Sequence, residues 1–149
     1  VVELTPTGAS GEGGNSAIFA FTATARTYAD LVVTEVSAPL TGRGGESIAV
    51  RWIVTNQGGV TAPGGFADRI VLSDDTIIGD ADDVELALVP RAADVLAGGT
   101  YTVDRSVTLP LRLDGRFYLG VVTDAGGDVV EPDTRADNTS APVAIDVTA

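Results

Sequence analysis

The stretch Ser47-Ile48-Ala49-Val50-Arg51-Trp52-Ile53-Val54-Thr55-Asn56 decides the fold. Ile48, Val50, Trp52 and Val54 alternate onto one face, while Ala49, Arg51 and Thr55 share the other with Ile53. That is the period of a strand with one buried and one wetter face. Outward from this strand the pattern repeats: Tyr101, Val103, Val107 and Leu109, interrupted by Arg105, whose stem is expected to run along a sheet edge; then Phe117, Leu119 and Val121; then Val143, Ile145 and Val147. Strands are expected over residues 30–37, 47–56, 66–73, 84–88, 100–109, 116–124 and 142–148, with separators rich in Gly, Pro and Asp as turns require. Seven such strands and no convincing 3.6-residue apolar period read as an all-β, two-sheet antiparallel β-sandwich. Residues 91–96 are the one helical candidate. Because Ala97-Gly98-Gly99 follows, no more than a single turn is expected there.

Composition removes most familiar chemistries. Nine cationic residues against twenty-one acidic ones leave a net charge of −12, which excludes a basic nucleic-acid binder. All nine cations are Arg, and the chain has no Lys, Met, Cys or His. A Ser-His-Asp triad, a Cys nucleophile, a thiolate or imidazole zinc site and a disulfide framework are all ruled out. Carboxylate chemistry remains. At 149 residues the chain is the size of one domain that buries a core without cross-links. Its apolar runs fall far short of the ~20 residues that span a bilayer.

The first residues resemble the last. Asn15-Ser16-Ala17 followed by alternating Phe19, Phe21 and Ala23 runs parallel to Asn138-Thr139-Ser140 followed by Val143, Ile145 and Val147, with one residue inserted, and both stretches end in Thr-Ala. Residues 1–26 are therefore expected to be the closing strand of a preceding repeat or an N-terminal extension, and residues 27–149 one complete module.

From Asp30 onward the residues resemble the cell-adhesion-related domain found in bacteria, CARDB. The resemblance rests on Asp30-Leu31-Val32-Val33, Trp52-Ile53-Val54-Thr55-Asn56-Gln57-Gly58, and Asp68-Arg69-Ile70-Val71-Leu72-Ser73 before an Asp-rich loop. It continues through Leu96-Ala97-Gly98-Gly99-Thr100-Tyr101, Gly115-Arg116-Phe117-Tyr118-Leu119, and Val121-Val122-Thr123-Asp124 leading by Glu131 to Asp137-Asn138. It implies an immunoglobulin-like sandwich, found in tandem in large secreted or surface-attached bacterial proteins with a role in adhesion, and supplies no catalytic residues. The stretch from Pro90 to Val95 departs from the family pattern, which leaves the pairing of residues 84–88 open.

The densest charge cluster is Asp74-Asp75-Thr76-Ile77-Ile78-Gly79-Asp80-Ala81-Asp82-Asp83. Asp74, Asp75, Asp80, Asp82 and Asp83 repel one another unless solvated, spread apart or neutralised, and hard oxygen donors at irregular loop spacing suit calcium. Gly79 would permit a sharp turn that aims them at one centre. The alternative is a solvated acidic loop. The loop is not an EF-hand, since Thr76 and Ile78 stand where that motif needs Asp or Asn. A second acidic group, Asp124, Asp128, Glu131, Asp133, Asp137 and Asn138, reads as a strand end and turn, with metal binding as the alternative. Gly42-Arg43-Gly44-Gly45 and Gly11-Glu12-Gly13-Gly14 open no helix and read as turns rather than phosphate cradles. Trp52 reads as a core residue rather than a sugar platform, and Tyr118 as the better exposed aromatic.

Three functions compete. A non-catalytic spacer or stalk module of a large repetitive surface or secreted adhesin requires a stable sandwich, repeats and short linkers, all of which the sequence offers, and calcium is its candidate cofactor. A ligand-binding module for glycan or protein requires exposed aromatics or a shaped loop end. A glycoside hydrolase requires two carboxylates facing each other in a cleft, and these Asp pairs lie in loops with no sign of one. The expected partners are neighbouring modules of the same chain and a surface glycan or protein, with no nucleic acid and no membrane insertion. The expected location is extracellular or at the cell surface.

Overall fold

Ser47–Asn56 forms a ten-residue strand over the range its alternation predicts, with Ile48, Val50, Trp52 and Val54 all buried. The computed structural model describes residues 2–3, 9–12, 28–132 and 134–149, and the resemblance of residues 15–25 to the closing strand lies outside them. Val2–Glu3 and Ala9–Glu12 pair antiparallel with each other. The sandwich strands are β1 (Leu31–Ser37), β2 (Thr41–Arg43), β3 (Ser47–Asn56), β4 (Phe66–Ser73), β5 (Val84–Arg91), β6 (Thr100–Thr108), β7 (Gly115–Val122) and β8 (Val143–Thr148). They form a three-stranded sheet of order β1-β3-β6 and a five-stranded sheet of order β2-β8-β7-β4-β5. The chain is an all-β sandwich.

The core between the sheets follows from the alternation. Leu31, Val33, Ile48, Val50, Trp52, Val54 and Val107 from one sheet meet Phe66, Ile70, Leu72, Leu119, Val121, Ile145 and Val147 from the other. Each fully buried aliphatic or aromatic side chain in such a set contributes about 1.5–3 kcal/mol relative to an exposed one.

Four features differ from the sequence reading. An eighth strand, β2, pairs parallel with β8 through Thr41↔Asp146 and Arg43↔Thr148, so the five-stranded sheet is mixed rather than wholly antiparallel. Gly42 belongs to this strand rather than to a turn, because a Cβ there would stand 2.6 Å from Leu109 Cδ1. Residues 91–96 form no helical turn. Val95 instead bridges Ala62 with two 2.8 Å backbone hydrogen bonds, while Asp94 accepts the Gly64 N–H at 2.8 Å, and both hold the segment extended. β5 consequently runs through Pro90 to Arg91, at the sheet edge where proline is tolerated. Finally, Tyr118 is half-buried rather than openly exposed. Arg105 is exposed on β6, an edge strand, as expected.

The chain enters and leaves the sandwich at opposite poles. At the N-terminal pole Leu31 pairs with Asn56, and the Gln57 and Gly59 N–H groups donate to Asp30 O and Tyr28 O. At the C-terminal pole Gly44 N–H donates to Thr148 O and Gly45 N–H to Leu109 O.

Candidate metal centre and the buried carboxylates

The acidic loop connects β4 to β5, two neighbouring antiparallel strands. Its shape is set by its own side chains. Asp75 Oδ1 accepts the Ile77 N–H at 2.8 Å, and Asp75 N–H donates to Ser73 Oγ at 3.2 Å. Asp83 Oδ2 accepts the N–H of Gly79, whose φ of 99° occupies the left-handed region that favours glycine. These short-range bonds curl the loop so that all five aspartates assemble into two triads. Carboxylate oxygens of Asp74, Asp75 and Asp82 lie within 4.8 Å of one another, as do those of Asp80, Asp82 and Asp83. Asp82 belongs to both. A hydrogen bond with Asp80 raises the Asp82 carboxyl above its ordinary range, with desolvation and repulsion from Asp80 and Asp75 adding to the shift. Crowded acceptors with no counter-charge hold a proton or a cation.

The anchor of this loop was not legible from its own residues. Gly120, on the outer face of β7, is buried beneath Ile78, and a Cβ at Gly120 would come within 2.3 Å of Ile78 Cγ2. Val71, which pairs with Gly120 across the sheet, is 2% exposed although it points away from the core. The loop is thus clamped onto the sheet by one apolar side chain, leaving its carboxylates toward solvent.

The second acidic group folds around Asp124. Its φ of 48° places it in the left-handed region, its Oδ1 accepts the Asp128 N–H at 2.8 Å, and its Oδ2 accepts the Val129 N–H at 2.9 Å. Arg135, on a short 3-10 turn (Arg135–Asn138), closes the arrangement through Nη1 to Asp124 Oδ2 at 3.1 Å and Nη2 to Asp124 O at 3.0 Å. Asp124 is therefore occupied as a turn cap. Glu131 is different: it is 3% exposed, and its oxygens lie near the Leu31 N–H without a well-formed hydrogen bond to it or to any other described residue. Burial pushes its carboxyl up to about 7, with Asp124 and Asp30 adding repulsion and the Leu31 N–H and Arg135 pulling the other way.

A third carboxylate, absent from the sequence reading, lies in the core itself. Asp68, 1% exposed, takes an inward position of β4 between Phe66 and Ile70. Its Oδ2 accepts Trp52 Nε1–H at 2.9 Å and Tyr101 O–H at 2.7 Å, and its Oδ1 accepts Thr123 Oγ1–H at 2.6 Å. Trp52 is fully buried, which overturns the sugar-platform alternative. The Tyr101 hydroxyl is held above its usual range by burial and by Asp68, while Arg91 stacks 3.9 Å over its ring. The signal was present in the sequence: an Asp in the inward register of a strand, facing strands that carry Trp and Tyr in theirs. With its oxygens engaged from both sheets, Asp68 acts as a structural bracket.

The family model for CARDB matches residues 28–141. The chain belongs to the CARDB family. Among solved structures, this CARDB module is similar to the CARDB domain of a Pyrococcus furiosus protein in complex with di-metal ions, at 15% identity and a TM-score of 0.58, covering 85% of this chain and 95% of that one. It is also similar to a β-glucosidase from Listeria innocua in complex with glucose, at 18% identity and a TM-score of 0.54, covering 82% of this chain but 16% of the enzyme. An alkylpurine DNA glycosylase from Pseudomonas fluorescens, bound to DNA containing an abasic site analogue, matches at 13% identity and a TM-score of 0.53, over 81% of this chain and 31% of that one. At these identities the likeness carries the fold alone. No curated protein sequence matches the chain. Among the described residues, no helix is long and apolar enough to cross a membrane.

Proposed function

We propose that this CARDB module is a non-catalytic spacer in a tandem, surface-exposed or secreted adhesion protein, stiffened by calcium at its acidic loop. The observation that carries the spacer reading is the opposite placement of the two poles, since a module entered at one end and left at the other extends a chain when repeated. Among the described residues, the two sheets of the sandwich are built by strands from residues 31–148 with the core between them, which supports a module that begins near residue 27. The buried carboxylates Asp68 and Asp124 are committed to hydrogen bonds, which argues against acid–base catalysis. The net charge of −12 disfavours a nucleic-acid partner. A neighbouring module and a surface glycan or protein are the partners this reading requires.

Removing residues 1–26 tests the module boundary. The melting temperature of the remainder is expected to match that of the full chain within about 2 °C, because a module's core is its own. A loss of several kcal/mol would assign the Phe19 and Phe21 stretch to this module's own sheet instead.

The calcium reading rests on the two triads that share Asp82. A related CARDB domain was solved with di-metal ions, and in this chain Asp74, Asp75, Asp80, Asp82 and Asp83 are the residues that would hold such cations, supplying hard oxygen ligands. Hard, short-armed carboxylates in an irregular loop match the flexible coordination of Ca2+ better than the tight octahedron of Mg2+. At ten times its Kd, calcium should stabilise the fold by about 1.4 kcal/mol, read as a rise in melting temperature that magnesium reproduces poorly. Replacing Asp80 and Asp82 with Asn should abolish the rise without unfolding the metal-free protein. Gly120→Val, which displaces Ile78, should weaken it without touching a carboxylate. No calcium uptake at millimolar concentration in a calorimetric titration would leave the loop a solvated acidic turn.

A further inference from the structure

The two poles carry unlike surfaces. At the N-terminal pole a cleft of about 220 Å3 is lined by Tyr28, Val60, Pro63, Asp128 and Val130. Tyr28, Val60 and Val130 are 42%, 39% and 65% exposed, an apolar cluster on a strongly acidic protein. At the C-terminal pole the turn between β6 and β7 presents Leu111, 73% exposed, next to Arg112. Arg112 holds a φ of 66°, an unusual conformation for a residue other than glycine, and it does so against tightly packed backbone. A Cβ at Gly44 would stand 3.1 Å from Pro110 O and 3.2 Å from Arg112 N, and one at Gly45 would stand 2.7 Å from Leu111 Cδ2. The turn is therefore fixed in a strained shape that holds an apolar knob and a cation outward.

We infer that these surfaces are the two halves of a head-to-tail interface, with Leu111 of one module seated in the Tyr28, Val60, Pro63 and Val130 cleft of the next and Arg112 beside Asp128. The inference rests on the tandem reading proposed above and adds rigidity and register to it. The occupant is identified by chain continuity. When Asn15 is aligned with Asn138 and the one inserted residue is allowed for, Thr24-Ala25 falls on Thr148-Ala149, which leaves only Arg26 and Thr27 between the end of one module and Tyr28 of the next. Three Cα–Cα steps reach at most about 11 Å, so the C-terminal pole of the preceding module must lie against the cleft. A short linker also raises the effective concentration of one surface at the other, so a small apolar contact suffices to orient the pair. The contact is heterologous and repeats along the chain without closing, as a stalk requires.

The test is a tandem chain in which the full 149 residues are followed by Arg-Thr and a second copy of residues 28–149. Small-angle scattering should give a rod with a single narrow inter-module arrangement, and the two modules should melt in one coupled transition. Leu111→Asp in the first copy, or Val130→Asp in the second, should uncouple the melting and broaden the arrangement. Neither substitution should shift the melting temperature of the single chain, where both side chains are exposed. Two folded modules that tumble freely and ignore these substitutions would overturn the interface and leave the spacer reading standing. A second copy that fails to fold would overturn the tandem reading and the interface with it. If removing residues 1–25 from the single chain alters the surroundings of Val130 in its NMR spectrum, the chain's own N-terminal segment covers the cleft and the interface inference fails.

Discussion

Trp52→Ala is expected to lower the stability of the module by about 3–5 kcal/mol, measured by urea denaturation. The indole is fully buried on the central strand of the three-stranded sheet, and truncation leaves a cavity that neighbouring strands cannot close without shifting their registers. The same change removes one of the three side-chain donors that hold Asp68, and a buried carboxylate that loses a partner carries a cost beyond the cavity. Trp52→Phe separates the two effects. It keeps much of the volume and loses only the Nε1–H donor, so it should cost about 1–2 kcal/mol. Because Trp52 is the sole tryptophan, the folded protein should emit at shorter wavelength than free indole in water. A cost of Trp52→Ala below about 1 kcal/mol, or a water-like emission maximum, would mean that the ring is not enclosed between the sheets.

Legibility in the sequence tracks the range of the interaction. The bounds of β3 and β4 can be read from alternation because burial of one face is a local pattern with a period of two. β2 escapes such a reading. It is three residues long, contains Gly42, and exists because β8 passes close enough for parallel pairing. The five aspartates of the β4–β5 loop are legible as a group because Asx-type bonds between near neighbours assemble them. Their anchor, Ile78 over Gly120, joins residues distant in sequence and leaves no local trace. Asp68 has the opposite character. Its inward register is visible in the sequence, but a carboxylate is read as exposed by default, and only the convergence of Trp52 and Tyr101 from the opposite sheet and Thr123 from the turn after β7 makes its burial tolerable. Glu131 lies in a stretch rich in turn residues, and nothing in its neighbours announces that the loop folds it against the start of β1.

That burial makes Glu131 the source of the second large effect, a loss of stability as pH rises through neutrality. The folded carboxyl titrates near 7, well above the ordinary glutamate value, so between about pH 4.5 and 7 the native state holds a proton that the unfolded chain has released. Its contribution is fully present below that window and is lost as pH rises through the folded value. In calcium-free buffer the chain should therefore be about 2–3 kcal/mol less stable at pH 8 than at pH 4.5. Asp146 acts in a separate range. Its hydrogen bond from Arg116 lowers its carboxyl below the ordinary value, so the stability it adds is lost only as pH falls further. Asp82 titrates upward in the same direction as Glu131 but from an exposed position, and the Asp80→Asn, Asp82→Asn double variant subtracts it. Glu131→Gln should flatten the dependence, since the amide remains neutral at every pH, and should leave the variant more stable than the parent at pH 8. Asp124 and Asp30, which raise the carboxyl, and Arg135, which lowers it, help set where Glu131 titrates. A parent chain with equal stability at pH 5 and pH 8, or a slope that survives in Glu131→Gln, would show that Glu131 stays solvated and ionised in the folded module.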